Sequence, residues 1–161
     1  MPPAVHAAVS WQNGLAFSEQ YQDVYYNSDN GLQETDYVFL QANRLAERWL
    51  NYPNARFTIA ETGFGTGLNF LLAAKLWLDT APVKASLHFI SAEKHPLSPL
   101  DMAKAWQQWP TLKPFSEALI AHYPKAIEQG DVSLFNQRVR LSLLIGDAAT
   151  AYQSLSQQQP K

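Results

Sequence analysis

Residues Phe57 to Phe70 constrain this chain more than any other stretch: Phe-Thr-Ile-Ala-Glu-Thr-Gly-Phe-Gly-Thr-Gly-Leu-Asn-Phe. A short β-branched and apolar run leads into an acidic residue, Glu61. Glycines follow at every second position, and an apolar segment with helical spacing comes next. This order predicts a strand, a tight glycine turn and a helix, the first unit of an α/β fold that handles nucleotides.

Glycine tolerates positive φ and lets the backbone approach a ligand with no Cβ in the way. A turn built from Gly63, Gly65 and Gly67 can therefore press backbone N–H groups against a bound cofactor, and the helix behind it adds the positive end of its dipole. The spacing is Gly-x-Gly-x-Gly, whereas the dinucleotide fingerprint is Gly-x-Gly-x-x-Gly, and Leu68 stands where that fingerprint needs its third glycine. A carboxylate at Glu61 would repel a phosphate and suits a ligand bearing a cationic amino group. Glu-x-Gly-x-Gly-x-Gly at a strand end resembles the first motif of the class I S-adenosylmethionine-dependent methyltransferases. The plain alternative is a glycine-rich turn that holds no ligand.

The 161 residues suit one domain with a single sizeable core. With 47% hydrophobic and 16% charged residues the chain is globular. A formal charge of −2 is not the footprint of a self-sufficient nucleic-acid binder. The absence of cysteine excludes disulfides, thiolate metal sites and cysteine catalysis together. No secretory signal is visible and no apolar run approaches ~18 residues, so the expected setting is cytoplasmic, away from a membrane.

Along the chain, residues 1–12 are expected to be a loose end. Residues 15–26, rich in aromatics, are read in part as strand or extended cover over the cofactor side, with Asn13-Gly14 and Ser28-Asp29-Asn30-Gly31 as turns. Val38, Ala42, Leu45, Ala46 and Trp49 form a stripe that predicts a helix over 33–50, ended by Asn51 and Pro53. Strands are expected over 56–61 and 86–92, with a helix over 68–78 between them. Ser98-Pro99-Leu100-Asp101 marks a helix start, and that helix should stop near Trp109 at Pro110. A short helix from Pro114 should end at Pro124. Residues 132–135 and 138–145 are two further strands, and 148–155 a last helix.

Glu61, Glu93 and Asp147 each stand at or just past the end of an apolar strand. In an open parallel sheet, ligands bind beyond the carboxyl ends of the strands. The three acids thus line one edge. An acid in Glu93's place accepts from ribose hydroxyls, and Asp147 after Gly146 can place a carboxylate near an adenine amine. A lone acid at a strand end is more often a plain solvated carboxylate; three beside a glycine turn are the strongest constellation in the chain.

Other candidates carry less. His6, His88, His95 and His122 show no metal-ligand spacing, so no metal site is expected. Ser91, Ser98 and Ser116 lack a nucleophile-elbow context. Trp77, Trp106 and Trp109 read as helix packing, and Tyr25 and Tyr26 near Asp23 read as packing before acceptor pocket.

Several stretches are similar to one family. Phe17 to Tyr26, Asp29 to Thr35 running into Val38-Phe39-Leu40, Glu61 to Leu71, and Ser91-Ala92-Glu93-Lys94-His95-Pro96-Leu97 resemble the methyltransferase domain of the bifunctional tRNA 5-methylaminomethyl-2-thiouridine biosynthesis proteins. The likeness runs from about Phe17 to Tyr152. It implies transfer of a methyl group from S-adenosylmethionine to the aminomethyl nitrogen of a modified wobble uridine in tRNA. It also implies that Gly63, Gly65 and Gly67 hold the methionine part of the cofactor. Glu61 would then face its amino group, Glu93 its ribose and Asp147 its adenine; no catalytic residue is assigned.

The family domain goes on to a fourth strand and beyond, and its bifunctional members add a flavin-dependent oxidase domain. None of this lies within these residues, so the expected fold is the N-terminal half of a Rossmann-like class I methyltransferase, α/β, with a mostly parallel sheet and helices on both faces. Residues 1–31 would be a cover segment and 32–161 the cofactor-binding core. In the usual order, 3-2-1-4-5, the first strand would keep an open edge, and the chain alone should bind cofactor weakly. Two rivals remain: a dinucleotide-dependent oxidoreductase, and a non-catalytic module on a methyltransferase scaffold.

Overall fold

A computed structural model of the chain describes residues 9–12, 15–18, 23–24, 40–41 and 43–158, of which 9–12, 15–18, 23–24 and 154–158 are described by backbone alone. Near the N-terminus, β1 (Val9–Gln12), β2 (Leu15–Ser18) and β3 (Asp23–Val24) form a small antiparallel sheet in that order. Residues 9–12, expected to be loose, are thus a strand: Val9 pairs with Ser18 and Gln12 with Leu15, so the ladder satisfies their backbone groups. The readings of Asn13-Gly14, of Tyr25 and Tyr26, and of 28–39 lie outside the described residues.

The main body follows as α1 (Leu45–Leu50), β4 (Arg56–Thr62), α2 (Leu68–Thr80), β5 (Ser86–Glu93), α3 (Pro99–Trp106), α4 (Lys113–Gln129), β6 (Asp131–Leu134), β7 (Val139–Ile145) and α5 (Ala148–Gln158). The second sheet has the order β4-β5-β7-β6. The β4–β5 and β5–β7 pairs are parallel and β6–β7 antiparallel, so the sheet is mixed but mostly parallel, and helices flank it. The first, second and third parallel strands stand side by side as the expected 3-2-1 run.

Burial follows that order. β5, in the middle, is buried along its whole interior, whereas β4 alternates exposed and half-buried residues. Thr58, Ala60 and Thr62 face solvent, and the outer edge of β4 has no partner strand among the described residues. The core lies where Phe57, Ile59, Leu87, Phe89, Leu141 and Leu143 meet the apolar sides of α1 to α4. The period-2 alternation of a strand puts these odd-numbered positions on one face. Trp49, Trp77 and Phe70 are fully buried in it, with Trp49 against Trp77 at 5.1 Å and Phe70 against Phe89 at 5.3 Å, both edge to face. Trp77, Trp106 and Trp109 are all packed inside, as the sequence reading expects.

Several boundaries differ from the sequence reading, and three of them have a clear physical cause or consequence. Within the expected helix over 33–50, Arg44 has a left-handed φ of 54° and α1 begins only at Leu45. That start buries Leu45 and Trp49, one turn apart. The helix expected to end at Pro124 runs through it to Gln129. Burial of Tyr123 and Ala126 on one face, together with the Tyr123 hydroxyl donating to Leu97 O at 2.6 Å, offsets the ~3 kcal/mol that an internal proline costs. Gly130 provides the stop, with φ of 80° and its N–H on Ala126 O at 2.9 Å. α3 ends at Trp106, three residues early, although its start is as read: Ser98 accepts from the Asp101 N–H at 3.2 Å with Pro99 at the first helical position.

The β6–β7 hairpin turns on Phe135, Asn136 and Gln137, all left-handed at φ of 54°, 57° and 65°. Such backbone costs a residue with a Cβ about 1–2 kcal/mol, while glycine gives back part of that as chain entropy. Gln137→Gly should therefore raise stability by about 0.5–1 kcal/mol. A urea midpoint that stays put or falls would show that the Gln137 side chain contributes what the strain removes.

Candidate functional site

The parallel register sets the geometry of the strand tips. Glu61 is level with Ser91, Thr62 with Ala92, and Glu93 with Ile145. The ladder continues past the strand ends: Gly63 N–H donates to Ala92 O at 2.7 Å, and Gly146 N–H to Glu93 O at 2.9 Å. Glu61, Glu93 and Asp147 therefore climb one sheet edge, each two residues above the level of the last.

The glycine turn sits on this edge. Gly63, Gly65 and Gly67 all have positive φ, at 81°, 57° and 79°. Gly67 is also enclosed: a Cβ there would lie 2.9 Å from Leu119 and from the Phe64 ring. At Gly63 a Cβ would meet nothing within 4 Å, so that side of the turn is open. Phe64 is the anchor. It is buried, stacks on Tyr123 at 6.4 Å and 14°, and fixes the turn to α4. Trp106 adds a second tie, its Nε1–H donating to Thr66 O at 2.9 Å.

Glu61 is mostly enclosed. Asn69, in the first turn of α2, donates to its Oε2 at 3.0 Å, and Ser91 donates to its Oε1 at 2.9 Å. Burial pushes the carboxyl up to about 7, and the neighbouring Glu93 charge adds to this against the two donors. Both donors are neutral, so nothing they bring balances a negative charge. Glu93 is also raised, first by burial, with the backbone N–H groups of Gly65, Phe64 and His95 countering the rise.

Asp147 differs. It is exposed, and its Oδ2 accepts from the Thr150 N–H and hydroxyl, each at 3.4 Å, across the first turn of α5. That is an N-cap geometry, although a weak one at this length. Close by, the Tyr152 hydroxyl donates to the main-chain O of Glu61 and lies 3.2 Å from Ile90 O, so α5 is tied to the tips of β4 and β5.

The sequence reading gives Asn69, Phe64 and Tyr152 no role of their own and weighs Ser91 only as a nucleophile. Asn69 carries a usable signal, two residues beyond the last glycine on the first turn of a helix. Ser91 becomes a neighbour of Glu61 only through strand register, and Tyr152 only through the return of α5. His88 is occupied elsewhere on the sheet: its Nε2 is 2.8 Å from Ser142 Oγ, which donates to Asp131, itself held by Arg140 at 2.8 and 2.9 Å. Among the described residues no group of three or more His, Asp or Glu is placed to hold a metal ion, and no helix is long and apolar enough to cross a membrane.

A scan of the chain against protein-family models gives no match. Curated relatives do match. The tRNA 5-methylaminomethyl-2-thiouridine biosynthesis bifunctional protein MnmC of Methylobacillus flagellatus is 46% identical over 157 residues, which is 97% of this chain and 24% of that protein. Proteins of the same name from Legionella pneumophila and Pseudomonas fluorescens are 43% and 50% identical over 95% and 91% of the chain. The chain spans about a quarter of the length of these relatives, 24%, 24% and 23% in turn. The solved structure of MNMC2 from Aquifex aeolicus superposes with a TM-score of 0.64 at 21% identity, over 92% of this chain and 45% of that one. At that identity the likeness speaks for the fold. On the sequence identity that runs along nearly all of it, the chain belongs to the family of the tRNA 5-methylaminomethyl-2-thiouridine biosynthesis bifunctional protein MnmC.

Proposed function

We propose that this chain is the S-adenosylmethionine-binding part of an enzyme that methylates the aminomethyl nitrogen on a modified wobble uridine of tRNA. The observation that carries the reading is the pairing of an open glycine turn with a half-buried carboxyl, Glu61, that has only neutral hydrogen-bond partners. A cationic amino group laid along the open side at Gly63 would supply the missing positive charge. In this proposal Gly63, Gly65 and Gly67 hold the methionine part, Glu61 its amino group, Glu93 the ribose and Asp147 the adenine. Asn69 and Ser91 keep the Glu61 carboxylate aimed at the turn. Residues 1–31 form a cover and 32–161 the cofactor-binding core.

The cofactor, when bound, supplies a sulfonium methyl group as electrophile. What the chain contributes is placement: the turn and the three strand tips hold a nucleoside in one orientation, so that a neutral acceptor nitrogen can line up behind the methyl group. Exclusion of water from that approach does the rest. The tRNA partner, and a flavin-dependent oxidoreductase domain further along a longer protein, are proposed from the bifunctional relatives. A cytoplasmic setting is proposed with them.

Calorimetry on the 161-residue chain tests the cofactor. S-adenosylhomocysteine should bind, if weakly, and in preference to NADH. Preference for NADH would replace this reading with a dinucleotide-dependent oxidoreductase. Cofactor binding with no methyl transfer to undermethylated tRNA, even with the rest of a relative's methyltransferase domain supplied in trans, would leave a binding module without catalysis.

A further inference from the structure

We infer that Tyr152 is a positioning residue of this site: its hydroxyl pins α5 to the tips of β4 and β5, and so fixes how far Asp147 stands from Glu61. The hydroxyl donates to the main-chain O of Glu61 and lies 3.2 Å from Ile90 O. Those two oxygens belong to neighbouring strands, where Ala60 is level with Ile90 and Glu61 with Ser91. One phenol proton is shared between them. The Glu61 carboxyl is held separately, by Asn69 and Ser91, so Tyr152 acts on the same residue through its peptide.

Little else holds the start of this helix in place. It leaves β7 through Gly146, whose φ of 140° is one that a residue with a Cβ rarely adopts, and a Cβ there would meet nothing within 4 Å. The joint is open on that side and does not by itself set the angle of α5. The Asp147 cap on Thr150 is weak at 3.4 Å and stays within the helix. Across residues 148–153 only Ala148, Ala151 and Tyr152 are half-buried, the i, i+3 and i+4 positions of one helix face, and the rest are exposed. Two of the three side chains are single methyl groups, which leaves the Tyr152 ring as the large contact. Among the described residues no other side chain of α5 hydrogen-bonds to the sheet.

The inference deepens the proposed function and rests on it for the two ends of the ligand, one at Asp147 and one at Glu61. A ligand that spans both acids gains when their separation is fixed beforehand, because each bound end then presents the other at high effective concentration. A ligand that touches one end gains nothing from the pin.

Tyr152→Phe keeps the ring and removes the hydroxyl. In calorimetry the variant should bind S-adenosylhomocysteine ~5–10-fold more weakly, the loss of about one hydrogen bond, while adenosine stays within ~2-fold of the parent. In a Glu61→Gln background, where the amino end is already lost, the same substitution should change S-adenosylhomocysteine binding by no more than ~2-fold. Amide exchange without ligand reads the pin itself. The Ala151 N–H, on Asp147 O at 2.8 Å, should exchange ~5-fold or more faster in Tyr152→Phe, with the Leu71 N–H, on Gly67 O at 3.0 Å in α2, unchanged as reference.

Unchanged S-adenosylhomocysteine binding in the variant would overturn the inference. So would adenosine weakened to the same degree, the mark of general loosening, an undiminished effect in the Glu61→Gln background, or unchanged exchange at Ala151. A parent that binds neither ligand would instead sink the proposed function, and the exchange rates would still decide whether Tyr152 pins α5.

Discussion

Gly67→Ala is expected to lower stability by about 2–5 kcal/mol, from left-handed strain and overpacking together. The φ of 79° is the first part of the cost. The second is contact: the new methyl group would lie 2.9 Å from Leu119 Cδ2 and from two atoms of the Phe64 ring. Neither neighbour has room to yield, since Leu119 and Phe64 are buried and Phe64 is stacked on Tyr123. Domains of this size have only about 5–15 kcal/mol to lose. Urea unfolding measures the effect, with Gly63→Ala as its control. There φ is 81° but a Cβ meets nothing, so the loss should be about 1–2 kcal/mol of strain and the damage should fall on ligand binding instead. Equal unfolding midpoints for the two variants would show that the turn rebuilds around the added methyl group.

Glu61→Gln should move stability and binding in opposite directions. A folded-state value of about 7 against 4.5 means that the native state holds the proton more tightly than the unfolded chain does. Below pH 4.5 both states are protonated and the group contributes nothing. Stability then falls as pH rises from 4.5 to 7, and above 7 the full cost of the buried charge is present, about 3 kcal/mol at most. The amide removes that charge, so Glu61→Gln should be the more stable protein at pH 8, by up to about 3 kcal/mol. Its melting should also lack the parent's slope between pH 4.5 and 7.

Binding is expected to run the other way. A cationic amino group needs the carboxylate, so the parent's affinity for S-adenosylhomocysteine should drop by about tenfold per unit below pH 7, with a proton released on binding. At pH 8 Glu61→Gln should bind about 30-fold more weakly, the loss of one charge-assisted hydrogen bond. Titrations in buffers of different ionisation enthalpy count the proton. No proton release at pH 6, or an unchanged affinity in the amide variant, would remove Glu61 from the amino group.

Much of this was legible in the sequence because it is local. Glycines at alternate positions between a β-branched run and an apolar helix leave one backbone path, and Ser98-Pro99 marks a helix start by its own hydrogen-bonding chemistry. What failed was also local evidence, overruled from a distance. Pro124 should stop a helix, yet Tyr123 and Ala126 are buried on the body of the protein and the helix continues. Arg44 gives no sign of a left-handed break, which makes sense only once Leu45 and Trp49 must face the core.

The chain's amino acids by themselves determined that acids would follow strands and that a bare turn would precede a helix, since short-range sterics and periodicity decide such things. Which groups meet was decided only by tertiary structure. Parallel register puts Ser91 beside Glu61, the crossover through α3 and α4 lets Phe64 lock the turn, and Glu93 stands beside the start of the turn because β5 ends one residue beyond the level of Thr62. Those contacts join residues ~30 or more positions apart, and no local preference encodes a distance of that kind.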